Sequence, residues 1–355
     1  MRLSISTGTS ESGLPAANVK VAWPRETRAR WGTFGFVSTP IILDCDPGID
    51  DALAIAFATA SPEIDLIGLT TVAGNVSLDK TTANALAVAS FVGAKDVPVT
   101  PGAAAPLLRP ALHAGHVHGD SGLGGAVLPP PARVAEDGHA IDYIIDTIGA
   151  ARGEITLVAT GPLTNIGLAL TREPRLATWV RDFVIMGGSA SRGNMNHAAE
   201  FNIWADPEAA AIVFRAGWTV RMIGLDVTLR AQATHPVQER MRGLGALGSE
   251  LLLPALAQYQ DSHDTTGEPP VHDVCAIASI ADPSVFSYTS ALVQVETHGT
   301  FTSGMTVTDF TPSDSHNTQV AMAIDADRFW TTVLDAYGTL PVAAALTASQ
   351  VLRPA

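Results

Sequence analysis

Residues 41–56 read IILDCDPGIDDALAIA, which places four carboxylates, Asp44, Asp46, Asp50 and Asp51, between an apolar run and an apolar helical pattern. The run before them predicts a buried strand, the pattern after them predicts a helix, and the Pro-Gly pair supplies the turn. In an open parallel α/β sheet such a turn lies at the carboxyl edge, where ligands bind. Burying like charges this closely is costly unless a cation or bound hydroxyl groups compensate them. Helix capping would explain one or two of the four, so the motif predicts a metal-assisted site for a polyhydroxylated substrate.

The composition of the chain limits the classes of protein to which it can belong. Hydrophobic residues make up 46% of the 355, which is ample for one large core or two smaller ones. The formal net charge of −14 argues against nucleic acid or an anionic membrane as a partner. The two cysteines, Cys45 and Cys275, have no metal-ligand spacing, so we expect neither a disulfide framework nor a zinc site. No apolar run reaches the roughly 18 residues of a spanning helix, and the polar N-terminus lacks the apolar segment of a signal peptide, so we expect a cytoplasmic location.

Strand and helix patterns alternate from Pro40 onward. This alternation predicts an α/β fold with an open, mostly parallel, Rossmann-like sheet and helices on both faces. The predicted strands are 41–43, 64–72, 155–159, 183–186 and 220–223, and the predicted helices are 50–60, 78–92, 141–150, 163–170 and 207–216.

The remaining segments predict the elaborations of this sheet. Residues 236–247 and 250–260 indicate a helical rim over the carboxyl edge, followed by a strand at 291–297. The Gly/Pro/His-rich stretches 101–133 and 187–199 are too long for ordinary connections and predict functional loops. We expect residues 1–38 to be a flexible N-terminal extension and residues 39–355 to form a single catalytic domain.

Polar side chains recur where the predicted strands end. Asn75 follows the second strand, Thr160-Gly161-Pro162 the third, and Gly187-Gly188 the fourth, while His272-Asp273 enters another apolar helix. Each is weak evidence alone. Because the carboxyl ends of parallel strands meet at one edge, together they predict a pocket there.

These motifs resemble the inosine–uridine-preferring nucleoside hydrolase family. The 44–51 motif is highly specific to that family, and the similarity extends from about Thr39 to Val333. The other motifs follow the family's order and approximate spacing: Val72-Ala73-Gly74-Asn75, His118-Gly119-Asp120-Ser121-Gly122, Thr160-Gly161-Pro162-Leu163-Thr164-Asn165, Glu200-Phe201-Asn202 and His272-Asp273. The resemblance implies the nucleoside hydrolase fold and hydrolysis of the N-glycosidic bond of ribonucleosides to free base and ribose, in nucleoside salvage. It also implies a homodimer or homotetramer.

The resemblance further implies a calcium ion at the bottom of the pocket, held by Asp46, Asp51, the backbone carbonyl of Thr160, and Asp273. An all-oxygen set rich in carboxylates suits Ca²⁺, which accepts roughly 6–8 ligands, better than the strict octahedron of Mg²⁺. In the family, a metal-bound water is deprotonated by the carboxylate that corresponds to Asp46. The displacement is a single inverting step without a covalent nucleophile.

Residues around the nucleoside follow from the same resemblance. His118 is expected to line the base pocket, Met186 and Phe201 to form an apolar floor, and His272 to correspond to a proposed leaving-group acid. The expected ribose contacts are Asp50 and Asn75 near the 2′-hydroxyl, and Asn194, Glu200 and Asn202 near the 3′- and 5′-hydroxyls.

The base preference is not predicted. Residues 255–270 correspond to the base-specificity region, with Tyr259, Gln260, His263 and Asp264 as candidates. The absence of Trp from this stretch disfavours purine specificity based on stacking.

Two other functions stay open at this point. A phosphotransferase of the haloacid dehalogenase type would use Asp44 as nucleophile and Asp46 as acid/base with Mg²⁺, but the Thr and Lys that it needs are not suitably placed. A non-catalytic nucleoside-binding protein would be expected to lose a metal ligand or the water activator, and none is lost here.

Overall fold

The structure, a computed structural model, describes residues 38–262 and 268–342. Almost all of the predicted N-terminal extension, residues 1–37, and the base-region candidates His263 and Asp264 lie outside the described residues, and of Gln260 only the backbone is described. Within the described ranges, no helix is long and apolar enough to cross a membrane.

The described part of the chain contains one nine-stranded sheet with the order β3-β2-β1-β4-β5-β6-β9-β7-β8. All neighbours from β3 to β9 are parallel, and β7 pairs antiparallel with both β9 and β8. This confirms the predicted open, mostly parallel sheet. The strands are β1 (Thr39–Cys45), β2 (Ile64–Thr71), β3 (Val99–Pro101), β4 (Thr156–Ala159), β5 (Asp182–Met186), β6 (Val220–Ile223), β7 (Phe286–Val295), β8 (Thr306–Asp309) and β9 (Thr318–Ile324).

Helices connect these strands and add a rim beyond them. The α-helices of the described residues are α1 (Ile49–Ala60), α2 (Leu78–Phe91), α3 (Gly115–His118), α4 (Ala140–Ala150), α5 (Thr164–Arg172), α6 (Leu176–Trp179), α7 (Phe201–Ala205), α8 (Pro207–Phe214), α9 (Leu225–Thr228), α10 (His235–Arg242), α11 (Leu253–Ser262), α12 (Asp273–Ala281) and α13 (Ala326–Tyr337). A π-helix covers Leu247–Leu252 and a 3₁₀ turn covers Pro283–Val285.

The helical rim differs from its prediction at two places. The helix expected over 236–247 ends at Arg242, before Gly243 and Gly245, and the second of these has a φ of 62° that an α-helix cannot accommodate. The helix expected over 250–260 divides into the π-helix and α11. The division lies between Leu252 and Leu253, one residue before Pro254, which has no backbone N–H to donate to the preceding turn.

Side chains of β1 alternate between two apolar layers. Ile41, Leu43 and Cys45 pack in the layer that contains α1, α2 and α12, while Ile42 packs in the layer of α4, α5 and α8. Cys45 is fully buried, as expected for a small apolar side chain. Helices therefore cover both faces, and the open carboxyl edge of β1, β2, β4 and β5 is where the polar motifs converge.

Candidate active site

Residues 44–51, which we call the carboxylate turn, join β1 to α1. Hydrogen bonds hold Asp51 on both oxygens, since Oδ1 accepts from Thr160 Oγ1 (2.8 Å) and Oδ2 accepts from the backbone N–H of Gly48 (3.1 Å). Asn75 Nδ2 also donates to Asp51 Oδ2 (3.2 Å). The ends of β1, β2 and β4 are thus tied together around one fully buried carboxylate.

The two oxygens of Asp46 have different surroundings. Oδ2 accepts a hydrogen bond of 2.6 Å from the backbone N–H of Asn75, whereas Oδ1 is buried with no hydrogen-bond partner among the described residues. Two glycines make room for this carboxylate: a Cβ on Gly74 would lie 2.1 Å from Oδ2, and one on Gly161 would lie 2.7 Å from Oδ1. Asp46 is therefore held by one oxygen and presents the other for chemistry or for a ligand.

Burial and mutual repulsion raise the pKa values of the acidic cluster. Desolvation, reinforced by the charge of Asp51, raises the pKa of Asp50 to about 7 and the pKa values of Asp46 and Asp273 well above their ordinary range. Asp50 Oδ1, like Asp46 Oδ1, has no hydrogen-bond partner in the described ranges. A bound cation would relieve both the repulsion and these unpaired oxygens, so the donor chemistry fits a hard divalent ion.

The acidic residues are not arranged as a complete set of metal ligands. Within residues 38–262 and 268–342, no three His, Cys, Asp or Glu side chains are grouped so that they could hold a metal ion. The oxygens of Asp51 accept the hydrogen bonds described above, and the carbonyl of Thr160 accepts from Asn202 Nδ2 (2.7 Å). Asp51 and the Thr160 carbonyl therefore already have protein partners, and an ion bound at this set would share their oxygens with these donors.

Side chains after β5 form one wall of a pocket of about 320 Å³, a size suited to a small organic ligand. Glu200 caps α7 by accepting from the backbone N–H groups of Asn202 (2.9 Å) and Ile203 (3.3 Å), and it also accepts from Gly188 N (2.8 Å). Burial raises the pKa of Glu200 to about 7. Asn194 Oδ1 accepts from Phe201 N (2.9 Å), which fixes the 187–199 loop against α7.

Aromatic and imidazole rings form the opposite wall. Tyr259 on α11 lies edge-on between His118 and His272, with ring centroids 6.1 Å and 6.2 Å away. The backbone N–H of Ile49 donates to His118 Nδ1 (3.1 Å), so that nitrogen carries a lone pair and the neutral ring has its proton on Nε2. His272 Nδ1 hydrogen-bonds Thr228 Oγ1 (2.8 Å), and its backbone N–H donates to Asp50 Oδ2 (3.2 Å).

The fold brings the predicted site residues together. Asp46 and Asp51 lie beneath the pocket, and the others line it: Asp50, Asn75, His118, Thr160, Met186, Asn194, Glu200, Phe201, Asn202, His272 and Asp273. Their individual roles stay predictions.

The structure adds pocket residues to the predicted set. Tyr259 was expected only as a base-region candidate, and its place between two predicted histidines indicates a direct part in the site. His116 on α3 is exposed, yet it also lines the pocket. The other added lining residues are Ala114, Val117 and Met195, which carry no polar sequence signal.

Asp44 does not face the pocket. Its side chain is fully buried, and its Oδ1 accepts from Thr70 Oγ1 (2.5 Å) and Asn165 Nδ2 (2.8 Å). Burial raises its pKa to about 7. Its Oδ2 has no hydrogen-bond partner in the described ranges, but the side chain does not line the pocket. The phosphotransferase alternative, which needs Asp44 as a nucleophile there, is therefore not supported.

Comparisons with known proteins agree with this geometry. The family described as inosine-uridine preferring nucleoside hydrolase matches residues 41–331. An inosine-uridine preferring nucleoside hydrolase of Leishmania major is 47% identical over 304 residues, which cover 83% of this chain and 96% of the relative. The pyrimidine-specific ribonucleoside hydrolase RihA of Escherichia coli is 42% identical over 296 residues, covering 82% of this chain and 95% of the relative.

A solved structure gives the same result at the level of the fold. The purine-preferring ribonucleoside hydrolase from Gardnerella vaginalis superimposes with a TM-score of 0.80 at 34% identity, covering 85% of this chain and 99% of that one. The sequence motifs, the sheet and the pocket are therefore those of one family. This chain belongs to the inosine–uridine-preferring nucleoside hydrolases.

Proposed function

We propose that this nucleoside hydrolase cleaves ribonucleosides in one step, in which water attacks C1′ of the ribose with Asp46 as the base while the nucleobase departs. The unpartnered Oδ1 of Asp46 carries this proposal. Oδ2 is anchored by the N–H of Asn75, so Oδ1 is the oxygen that accepts the proton of the attacking water. A fixed base beside the reacting carbon removes much of the entropy cost of a two-molecule reaction.

Calcium is the metal that we propose for this site. Asp46, Asp51, Asp273 and the carbonyl of Thr160 would hold it, and the mutual repulsion of these buried carboxylates supports this set. When bound, the ion supplies a positive charge that lowers the pKa of a coordinated water. Desolvation and the charge of Asp51 raise the pKa of Asp46 in the metal-free protein, so a bound cation would favour the ionised form that accepts the proton.

The ribose occupies the polar wall in this proposal. Asp50 Oδ1 and the amide of Asn75 would bind the 2′-hydroxyl, and Glu200, Asn202 and Asn194 would bind the 3′- and 5′-hydroxyls. Both oxygens of Glu200 already accept backbone N–H groups, so an added hydroxyl finds a carboxylate fixed in place. A substrate without the 2′-hydroxyl leaves buried polar groups unpaired, and we expect 2′-deoxynucleosides to react far more slowly.

The base departs toward the wall formed by His118, Tyr259 and His272. His272 would protonate the leaving base, and the Nε2–H of His118 would donate a hydrogen bond to it. Met186 and Phe201 would form the apolar floor beneath the sugar or base. The relatives named above comprise inosine-uridine-preferring, pyrimidine-specific and purine-preferring enzymes, so similarity leaves the base preference of this chain to be measured.

The decisive experiment measures free base and reducing sugar released from a ribonucleoside panel that includes 2′-deoxyuridine, with calcium and with a calcium chelator. We expect release that the chelator abolishes and that added calcium restores. Asp46→Asn, which keeps the size of the side chain, should lose at least about 10²-fold in kcat. Undiminished release in the chelator would overturn the metal proposal, and normal turnover by Asp46→Asn would overturn the assignment of the base.

The proposal also covers the oligomeric state and the cellular location of the enzyme. A homodimer or homotetramer acting in the cytoplasm in nucleoside salvage is what the family resemblance favours. Size-exclusion chromatography with light scattering would decide the assembly, and a monomer at micromolar concentration would contradict it. Fractionation of the source cells would decide the location.

A further inference from the structure

A four-residue helix lies behind the pocket and carries two buried or half-buried polar side chains. This helix, α9, follows the carboxyl end of β6, and its polar residues are Asp226 and Thr228. Asp226 Oδ2 accepts from the backbone N–H of Ala190 (2.8 Å) and from Ser189 Oγ (3.1 Å), which anchors the loop that leads to Asn194. Thr228 points instead to the base side of the pocket, where it meets His272.

The contact between Thr228 and His272 is buried and close. Thr228 is fully buried, His272 is 7% exposed, and the distance from Thr228 Oγ1 to His272 Nδ1 is 2.8 Å. A hydrogen bond to one ring nitrogen fixes both the rotation of an imidazole and the nitrogen that faces the other way. The backbone N–H of His272 is held separately, by Asp50 Oδ2, so the main chain and the ring of this residue have independent anchors.

We propose that Thr228 is a positioning residue for His272, directing the Nε2 of the ring at the departing nucleobase. This rests on the proposed role of His272 as leaving-group acid. In the imidazolium form of the ring, which carries a proton on each nitrogen, Nδ1–H donates to Thr228 Oγ1 while Nε2–H faces the base. As the N-glycosidic bond breaks, its electron pair leaves with the base and the Nε2 proton passes to the base. Nδ1–H stays bonded to Thr228, so the ring is left in the tautomer whose Nε2 is deprotonated.

The test compares two kinds of leaving group. Uridine and inosine release bases that need a proton, whereas p-nitrophenyl β-D-ribofuranoside releases a phenolate that leaves as a stable anion. Thr228→Val keeps the shape of the side chain and removes its hydroxyl. We expect this variant to lose about 10- to 100-fold in kcat for uridine and inosine with little change in KM, and to keep turnover of the p-nitrophenyl riboside within about twofold.

Two further variants separate positioning from a general loss of structure. Thr228→Ser retains the hydroxyl and should restore most of the kcat for uridine. Asp226→Asn disturbs the same helix without contacting the ring of His272, so its effect should be equal on the two kinds of substrate. Equal losses on both substrates in Thr228→Val, or full activity on uridine, would overturn the inference.

His272→Ala makes failure of the inference distinguishable from failure of the proposed function. If His272 is the acid, this variant shows the same selectivity for the activated leaving group, with a larger loss on uridine. Selectivity in His272→Ala without selectivity in Thr228→Val overturns only the role of Thr228. No selectivity in His272→Ala overturns the acid itself, and the inference with it.

Discussion

At the scale of single residues, the absence of a side chain matters as much as its presence. A Cβ on Gly161 would lie 2.7 Å from Asp46 Oδ1 and 3.0 Å from Val72 Cγ1, and neither neighbour has open space to move into because both are buried. We predict that Gly161→Ala displaces the Asp46 carboxylate and lowers kcat on the order of 10²-fold, since small misplacements of a reacting group are costly. Steady-state kinetics with saturating calcium measures this.

A second glycine provides the control for that prediction. Gly338 ends α13, far along the chain from the carboxylate turn, and its Cβ would meet only backbone oxygens at 3.3 Å or more. Gly338→Ala should keep full activity. An active Gly161→Ala enzyme would mean that Asp46 has more room than the structure gives it.

Site residues could be predicted from the sequence where both their residue type and their place in a motif indicate the site. The other residues of the site could not. Asp46 and Asp50 stand out because no other function explains so many acids in one turn. Asp44 belongs to the same motif, yet its side chain is enclosed by hydrogen bonds to Thr70 and Asn165. Thr228 carries no local signal at all, because its partner lies 44 residues away in the chain.

At the scale of elements, α2 joins the two segments that carry the site. Asn84 Nδ2 donates to the carbonyl of Pro47 in the carboxylate turn (2.9 Å) and to that of Ser121 in the loop after His118 (2.9 Å). One turn earlier, the exposed Lys80 donates to the carbonyl of Asp120 (2.5 Å). The face of α2 therefore fixes the position of His118 relative to the acids.

We predict that Asn84→Leu lowers the free energy of unfolding by about 1–3 kcal/mol, because the buried carbonyl of Pro47 and the part-buried carbonyl of Ser121 lose their donor. The kcat/KM should fall as well, since Asn84 no longer fixes the position of His118 relative to the carboxylate turn. Lys80→Met is the matched control, because water can replace an exposed donor, and it should change stability by less than about 0.5 kcal/mol. Urea unfolding monitored by circular dichroism measures both, and equal effects of the two variants would contradict the prediction.

The strands and helices differ in how well the sequence predicts them, and the difference has a physical reason. Regular alternation predicted the strands and helices of the parallel sheet, because a strand buried on both faces and an amphipathic helix have distinct periods. The rim was less predictable, since the apolar pattern of the sequence does not distinguish the π-helix at Leu247–Leu252 from an α-helix. The short α7 depends on its Glu200 cap, and the short α9, which has no side-chain cap, depends on tertiary contacts such as that of Thr228 with His272.

At the scale of the whole molecule, buried carboxylates link stability to pH and to calcium. Desolvation raises the pKa values of Asp44, Asp50 and Glu200 to about 7 in the metal-free protein, above their ordinary values in an unfolded chain. The folded state therefore binds protons more tightly than the unfolded state. The stability that these three groups contribute is greatest below their unfolded pKa values and is lost as the pH rises through the folded ones.

We predict that the metal-free protein melts at progressively lower temperature as the pH rises from about 5 to about 7. Calcium needs the ionised carboxylates, so the increase in melting temperature that it produces should be small at the acidic end of this range and large near neutrality. Thermal unfolding in a chelator and in excess calcium, at several pH values, tests both statements. Glu200→Gln removes one titrating group outside the proposed metal ligands and should flatten the metal-free curve while keeping the calcium effect. A calcium effect of the same size at every pH would show that ion binding does not compete with protons at these carboxylates.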